Sequence, residues 1–262
     1  MFWKIFKHDF IKIYKSMGIF YALALIFAIL AKIFLDQTNP APIFLILGNI
    51  CAGGMWGLAI SGLINGVLKA LNNFNDNLYG NGALFTRCLP VTIHTIFLEK
   101  LLMGALLSLT SIIVATTSAF IVYAPYDQIS AILDLISSTT GANGAAALIF
   151  LFAIFYVEIL LVFSSGTTGL VLGHKHLKNK NLWSVIYGFF VYLLSQAFIV
   201  GSIALAGFFE PDIFSIFDPS NGVISPNVIK IATITSTASY LFCAVALSFF
   251  SDHLISKGVD IS

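Results

Sequence analysis

The chain has 262 residues, of which 58% are hydrophobic and only 10% charged, with a mean hydropathy of +0.96. Ordinary soluble domains carry about 25% charged residues, so a soluble globular class is excluded. A net charge of +1 offers nucleic acid no bulk attraction, and three scattered cysteines (Cys51, Cys88, Cys243) form neither a disulfide framework nor metal-ligand spacing.

The first sixteen residues interleave charge with aromatics and do not read as a signal peptide. Lys4, Lys7, His8, Lys12 and Lys15 fall largely on one helical side, and Phe6, Phe10, Ile13 and Met17 on another. That pattern predicts an amphipathic interfacial helix over 1–16. Six apolar runs then reach the length of about 20 residues that crosses a bilayer core. They are Met17–Leu35, Ile43–Leu71, Ile93–Tyr123, Ala145–Gly173, Trp183–Phe208 and Val228–Phe250.

Basic residues near the span ends set the orientation. With the N-terminus inside, Lys4, Lys7, Lys12, Lys15, Lys69, Arg87, Lys100, Lys175, Lys178, Lys180 and Lys257 are cytoplasmic, and only Lys32 and Lys230 are not. The expectation is an all-α membrane protein: six transmembrane helices within 17–262, both termini cytoplasmic. Its outer loops are acidic or neutral. The stretch after the third span carries a brief amphipathic pattern, and the loop 209–227 carries enough Phe and Ile to dip into the outer interface.

The longest break on the basic side is the cytoplasmic loop 72–92. It sets Phe74, Leu78, Tyr79, Leu84 and Phe85 on a polar, glycine-punctuated backbone, which a purely solvated loop has no use for. Pro90 biases Leu89 away from the α region, and Thr92 is an N-cap candidate for the third span. These features read as the grip of a cytosolic partner.

Inside the spans, Gly53/Gly57 and Gly62/Gly66 form two Gly-x-x-x-Gly pairs in span two. Such pairs let helix backbones approach in lipid, either within the chain or in a dimer or gating contact. Glu158 is the acid deepest within a span, and a charge there is a functional-site candidate by default. It reads either as a transport-path or gating group, or as a structural hydrogen-bonder to a neighbouring hydroxyl or amide. Ser108, Thr110, Ser111, Thr116, Ser195, Gln196, Thr233, Thr235 and Ser236 are the partners on offer. His174 and His176 lie among lysines in a loop that repels metal ions, so no metal site is expected. No phosphate-binding Gly-x-x-x-x-Gly-Lys-Ser/Thr loop occurs, so the chain is not expected to hydrolyse ATP by itself.

Asn77, Leu78, Tyr79, Gly80, Gly82 and Leu84, then Leu89-Pro90-Val91-Thr92, then Lys100-Leu101-Leu102 form a pattern spread over about thirty residues. It resembles the cytoplasmic loop and third-span start of permease subunits of bacterial type-2 ABC exporters. Many of those carry an acid between the two glycines, where this chain has Asn81.

The resemblance implies a permease in the bacterial cytoplasmic membrane that works with a second permease copy or homologue. It also implies two copies of a separate ATPase that holds the ATP and Mg. The loop would be a coupling helix, with Tyr79, Leu84, Phe85 and Leu89 against an ATPase cleft and Arg87 at its acidic rim. By analogy the cargo is a peptide, a drug or another amphipathic molecule. The alternatives are a secondary carrier or channel using Glu158, and a non-transporting immunity or scaffold protein.

Overall fold

A computed structural model describes residues 2–37, 41–80, 82–88, 90–123, 134, 137, 144–217 and 226–257. It is all-helical, with no strand among these residues and six helices long and apolar enough to cross a membrane. The chain is a multi-pass membrane protein. The long helices are α1 (Phe2–Leu35), α2 (Pro42–Leu78), α4 (Ile93–Tyr123), α5 (Gly144–Gly173), α6 (Lys180–Phe209) and α7 (Pro226–Ser256). A short α3 (Ala83–Cys88) lies between α2 and α4, and a 3-10 helix (Pro211–Phe217) follows α6. The backbone divides into two compact units, Met1–Ile129 and Ser130–Ser262.

In the first unit α1 packs on α2 and α4. Its buried stripe runs Asp9, Ile13, Met17, Tyr21, Ala24, Ala28, Ala31, a spacing of three and four that keeps one face inward throughout. The residues expected to form a separate interfacial helix over 1–16 therefore run straight on into the first span. No proline interrupts Ser16–Met17, and the inward stripe continues across that point. Phe2, Phe6, Phe10 and Tyr14 stack along this end at centroid spacings of 6.3, 5.5 and 5.4 Å. Farther along, Ala28 and Ala31 meet Ala52, Met55 and Val122, small side chains that bring the three helices close.

The second helix starts at Pro42, where a missing N–H costs nothing, and runs to Leu78. The break expected from Asn72 thus opens two turns later. Ala70, Phe74 and Leu78 extend the buried stripe at i, i+4, and Phe74 meets Phe97 of α4 edge-on at 5.9 Å. Packing on α4 overrides the weak helix propensity of Asn72, Asn73, Asn75 and Asn77. At 37 residues α2 is about 55 Å long, well beyond a hydrocarbon core of about 30 Å.

In the second unit α5, α6 and α7 pack pairwise. Hydroxyls join them: Ser164 Oγ to Ser248 Oγ at 3.2 Å, Thr168 Oγ1 to Ser251 Oγ at 2.8 Å and Ser202 Oγ to Ser239 Oγ at 2.7 Å. The closest approach is between α5 and α6. A Cβ on Gly169 would sit 2.4 Å from the Gly188 backbone nitrogen, and one on Gly173 would sit 2.2 Å from Ser184 Oγ. Asn179, in the left-handed region at φ 53°, turns the chain into α6, a conformation its short polar side chain tolerates. In the loop 209–227, Ile213 is buried and Phe214 packs edge-on to Phe208 at 6.1 Å, so the 3-10 turn folds back onto the end of α6. The amphipathic stretch expected after the third span lies outside the described residues, apart from residues 134 and 137.

The Gly169/Gly173 crossing predicts that Gly169→Ala destabilises the chain by about 1–3 kcal/mol through overpacking against backbone. Gly53→Ala, whose Cβ would meet nothing within 4 Å, should be neutral or stabilising by up to about 1 kcal/mol. Thermal unfolding in detergent, followed by tryptophan fluorescence, separates the two. Equal melting of Gly169→Ala and the unaltered chain would mean the helices are not this close.

Candidate functional site

Around the short α3 the chain builds its most polar interior. Tyr79 caps α2, its N–H donating to Asn75 O at 2.8 Å, and the Gly80 N–H donates to the same oxygen at 3.0 Å. Tyr79 is half-buried, and its hydroxyl is shielded from solvent inside the chain. Within α3, Thr86 donates from both N–H and Oγ1 to Gly82 O, at 2.9 and 2.8 Å. Leu84, Phe85 and Arg87 lie on α3, but their side chains are outside the described set, as are Asn81 and Leu89 altogether. Thr92 takes the N-cap place of α4: its carbonyl accepts from Thr95 and Ile96, while its hydroxyl bonds that of Thr95 at 2.8 Å.

Beneath the loop lies a node of charge that the sequence reading did not single out. Asp9 of α1, and Glu99 and Lys100 of α4, are all buried, the last two at 1% exposure. The Lys100 ammonium donates to Asp9 Oδ2, which also accepts from Asn77 Nδ2 of α2 at 3.1 Å. His8 Nδ1 stands 3.0 Å from Asp9 Oδ1, and Asn77 Nδ2 reaches Asn73 Oδ1 as well, at 3.1 Å. Lys100 Nζ also lies 3.0 Å from Glu99 Oε2, an ion pair without hydrogen-bond geometry; both Glu99 oxygens lack a hydrogen bond among the described residues. Two carboxylates thus share one ammonium, and three helices are pinned at one point. Lys69 of α2 likewise donates to Ser16 of α1, and Tyr21 bonds Ser111 of α4 at 2.7 Å.

The node forms one wall of a cleft of about 660 Å³, lined by Lys4, Ile5 and His8 of α1, Asn77 of α2, Thr86 and Cys88 of α3, and Ile96 of α4. The N-terminal turns of α1 and the short α3 thus line the same cleft. Asp9 hides in the sequence because it is one acid among lysines. Glu99 hides because the adjacent pair Glu99-Lys100 reads as interfacial charge.

The glycine pairs of span two separate. A Cβ on Gly62 would touch Tyr21 at 3.4 Å, and one on Gly66 would touch Ser111 at 3.2 Å, so this pair packs inside the first unit. Gly53 and Gly57 are exposed, with nothing within 4 Å of either added Cβ. The pair Gly169/Gly173, which makes the tightest crossing, was visible as a Gly-x-x-x-Gly spacing and was missed.

Glu158 sits mid-way along α5, half-buried, with no hydrogen bond or ion pair to its carboxylate among the described residues. The hydroxyls offered to it bond backbone of their own helices instead: Ser108 to Gly104 O, Ser195 to Val191 O, Ser236 to Thr233 O. The loop histidines are separately engaged. His176 stacks on Trp183 at 4.6 Å and bonds the Tyr187 hydroxyl at 2.9 Å. His174 Nδ1 lies 2.9 Å from Leu170 O. Burial and the charge of Lys180 hold its imidazole below the usual histidine range, against the opposing pull of that bond.

The node predicts a sharp asymmetry. Lys100→Met strands two buried carboxylates and should cost about 3–5 kcal/mol. The triple change Asp9→Asn, Glu99→Gln, Lys100→Met removes every charge and should recover most of that loss. Thermal unfolding of both variants checks this; a harmless Lys100→Met would show that water screens the node.

No family model matches the chain, and neither does any curated protein or solved structure.

Proposed function

We propose that this chain is the membrane-spanning subunit of a type-2 ABC exporter, acting with a separate ATPase in a bacterial cytoplasmic membrane. The observation that carries the reading is the six-residue α3, set between two long helices in the stretch whose sequence resembles the family's loop. Two features support it. The helix that leads into the loop, α2, is tied to α1 and α4 through Asn77, Asp9 and Lys100. Along the sequence, all the lysines and the arginine except Lys32 and Lys230 fall at span ends that alternation from an inner N-terminus puts inside. An ATPase pair whose closing moves α3 would thereby move three helices as one, because the node lets none of them lag without separating buried charges. A ligand shifts such an equilibrium only through contacts that differ between its two states. Here those contacts would be made by residues of α3.

The test is co-purification of the cognate ATPase from membranes. Leu84→Asp and Phe85→Asp should each abolish it, while leaving the melting temperature of the purified chain within a few degrees. Retention of the ATPase by both variants sinks the coupling assignment. A proton-driven carrier is the second reading, favoured by the Glu158 carboxylate, which has no hydrogen bond or ion pair among the described residues. Uptake into liposomes holding this chain alone, driven by a proton gradient and lost in Glu158→Gln, would select it over the exporter.

A further inference from the structure

The turn from α5 to α6 carries lysines that no acid answers. Residues 174–180 hold Lys175, Lys178 and Lys180 beside His174 and His176, and no Asp or Glu occurs between Glu158 and Glu210. The acid toward the same end of α7, Asp252, follows Ser251, which bonds Thr168 of α5 two turns before Lys175. Lys175 and Lys178 are exposed, and neither has an ion pair among the described residues.

A slack loop would hold a ligand poorly, because ordering it on binding costs entropy. This turn is ordered beforehand. The N–H groups of His174, Lys175 and His176 donate to the carbonyls of Leu170, Leu172 and Gly173 at 3.1, 3.2 and 3.2 Å, so the chain leaves α5 in tight turns. On the far side Asn179 takes its left-handed conformation, and its carbonyl accepts from the Trp183 N–H at 3.1 Å. His176 closes the turn from within: its ring stacks on Trp183 at 4.6 Å and its Nε2 bonds the Tyr187 hydroxyl at 2.9 Å. The close approach of Gly173 to Ser184 locks the two helices just beneath. Lys175 and Lys178 are thus carried on a fixed backbone, one on each side of His176-Leu177.

Between the two lysines Leu177 is 88% exposed, and Trp183, 36% exposed, opens the apolar run of α6. Helices α5 and α6 have 30 residues each, about 45 Å against a hydrocarbon core of about 30 Å, so their common end stands at headgroup depth. Ammonium groups reach phosphates there, while a leucine and an indole rest at the acyl boundary. Two lysines on a fixed turn beside apolar side chains suit a net negative headgroup on an acyl body. A zwitterionic headgroup brings a cation of its own against them. We propose that the α5–α6 turn is a binding site for an anionic phospholipid, whose phosphate Lys175 and Lys178 hold while Leu177 and Trp183 pack against its first acyl carbons. The site does not draw on the exporter reading. Lysines that only orient the chain during insertion need no preference among lipids, and that difference can be measured.

The experiment places the full chain in bilayers of equal parts phosphatidylcholine and phosphatidylglycerol, with Trp3→Phe and Trp56→Phe leaving Trp183 as the sole tryptophan. Either lipid in turn carries acyl-chain bromines, which quench a tryptophan they touch. Brominated phosphatidylglycerol should win at Trp183, with a relative association constant of about threefold or more in its favour. That ratio should fall to about one in Lys175→Gln/Lys178→Gln and under molar salt, and should survive Lys175→Arg/Lys178→Arg. Equal quenching by the two lipids with every loop lysine in place overturns the proposal. So does a preference that the paired glutamines leave intact. The first comparison needs no loop variant, so it decides even where those variants misfold. Loss of a co-purified ATPase in the glutamine variant, with its lipid preference unchanged, gives the lysines to a protein partner and refutes the lipid site. Lost preference with the ATPase retained keeps the lipid site and leaves the exporter reading standing.

Discussion

The first unit is organised by an imbalance: two buried carboxylates and one buried ammonium where α1, α2 and α4 converge. Taking charges out of water is costly, and attraction between them repays it only with good geometry and further hydrogen bonds. Asp9 meets that condition, with Lys100, Asn77 and His8 all bonded to it. Glu99 does not, which leaves the node short of one positive partner. Such a node adds little net stability compared with apolar packing. What it does supply is register. Each helix of the first unit contributes a group that fits only one axial position, whereas a stripe of alanines and methionines tolerates sliding.

That register explains how a polar loop can be held still. Glycine-rich turns lose more entropy on ordering than any other backbone. Between Tyr79 and Ala83 the chain is fixed by N–H groups of Tyr79, Gly80, Gly82 and Ala83 donating to Asn75, Asp76 and Gly80 carbonyls. The Asn75 and Asp76 carbonyls belong to the last turn of α2, and that end is itself fixed by Asn77 on Asp9 and by Phe74 on Phe97. The resembling motif's lysine, Lys100, is therefore a strut for the base of the loop and has no free charge to show to a partner.

Much of the fold was legible in the sequence because bilayer-length apolar runs are a strong signal. Ile93–Tyr123 was read to the residue, since Pro90 and Thr92 mark its start locally. The end of α2 was misjudged because Asn72 to Asn77 reads as loop by propensity, and only the contact of Phe74 with α4 reverses that. The interfacial helix over 1–16 was read from a basic face set against an apolar one. Its inward stripe of Ile13 and Met17 was seen, but not that Asp9 continues it. The residues of the candidate node escaped for one reason: a buried ion pair joins positions ninety apart, and neither partner looks unusual among its own neighbours. Glu158 was legible for the opposite reason, since nothing near it in sequence shares its charge.

The two units meet the same problem, polar groups among apolar helices, with opposite solutions. In the first, charge answers charge, and the helices are pinned where the loop needs a rigid base. In the second, hydroxyls pair across helices while glycines let α5 and α6 touch backbone to backbone, and Glu158 has no ion pair among the described residues. A buried polar network rigidifies as far as its members are satisfied, and in the node Glu99 is the member left without a hydrogen bond among the described residues. On that argument the bonded part of the node, Asp9 with Lys100 and Asn77, is what fixes the three long helices of the first unit against one another. A substitution that removes Asp9 or Lys100 should therefore loosen the register of α1, α2 and α4 while leaving the hydroxyl contacts of the second unit intact, because those bonds share no group with the node.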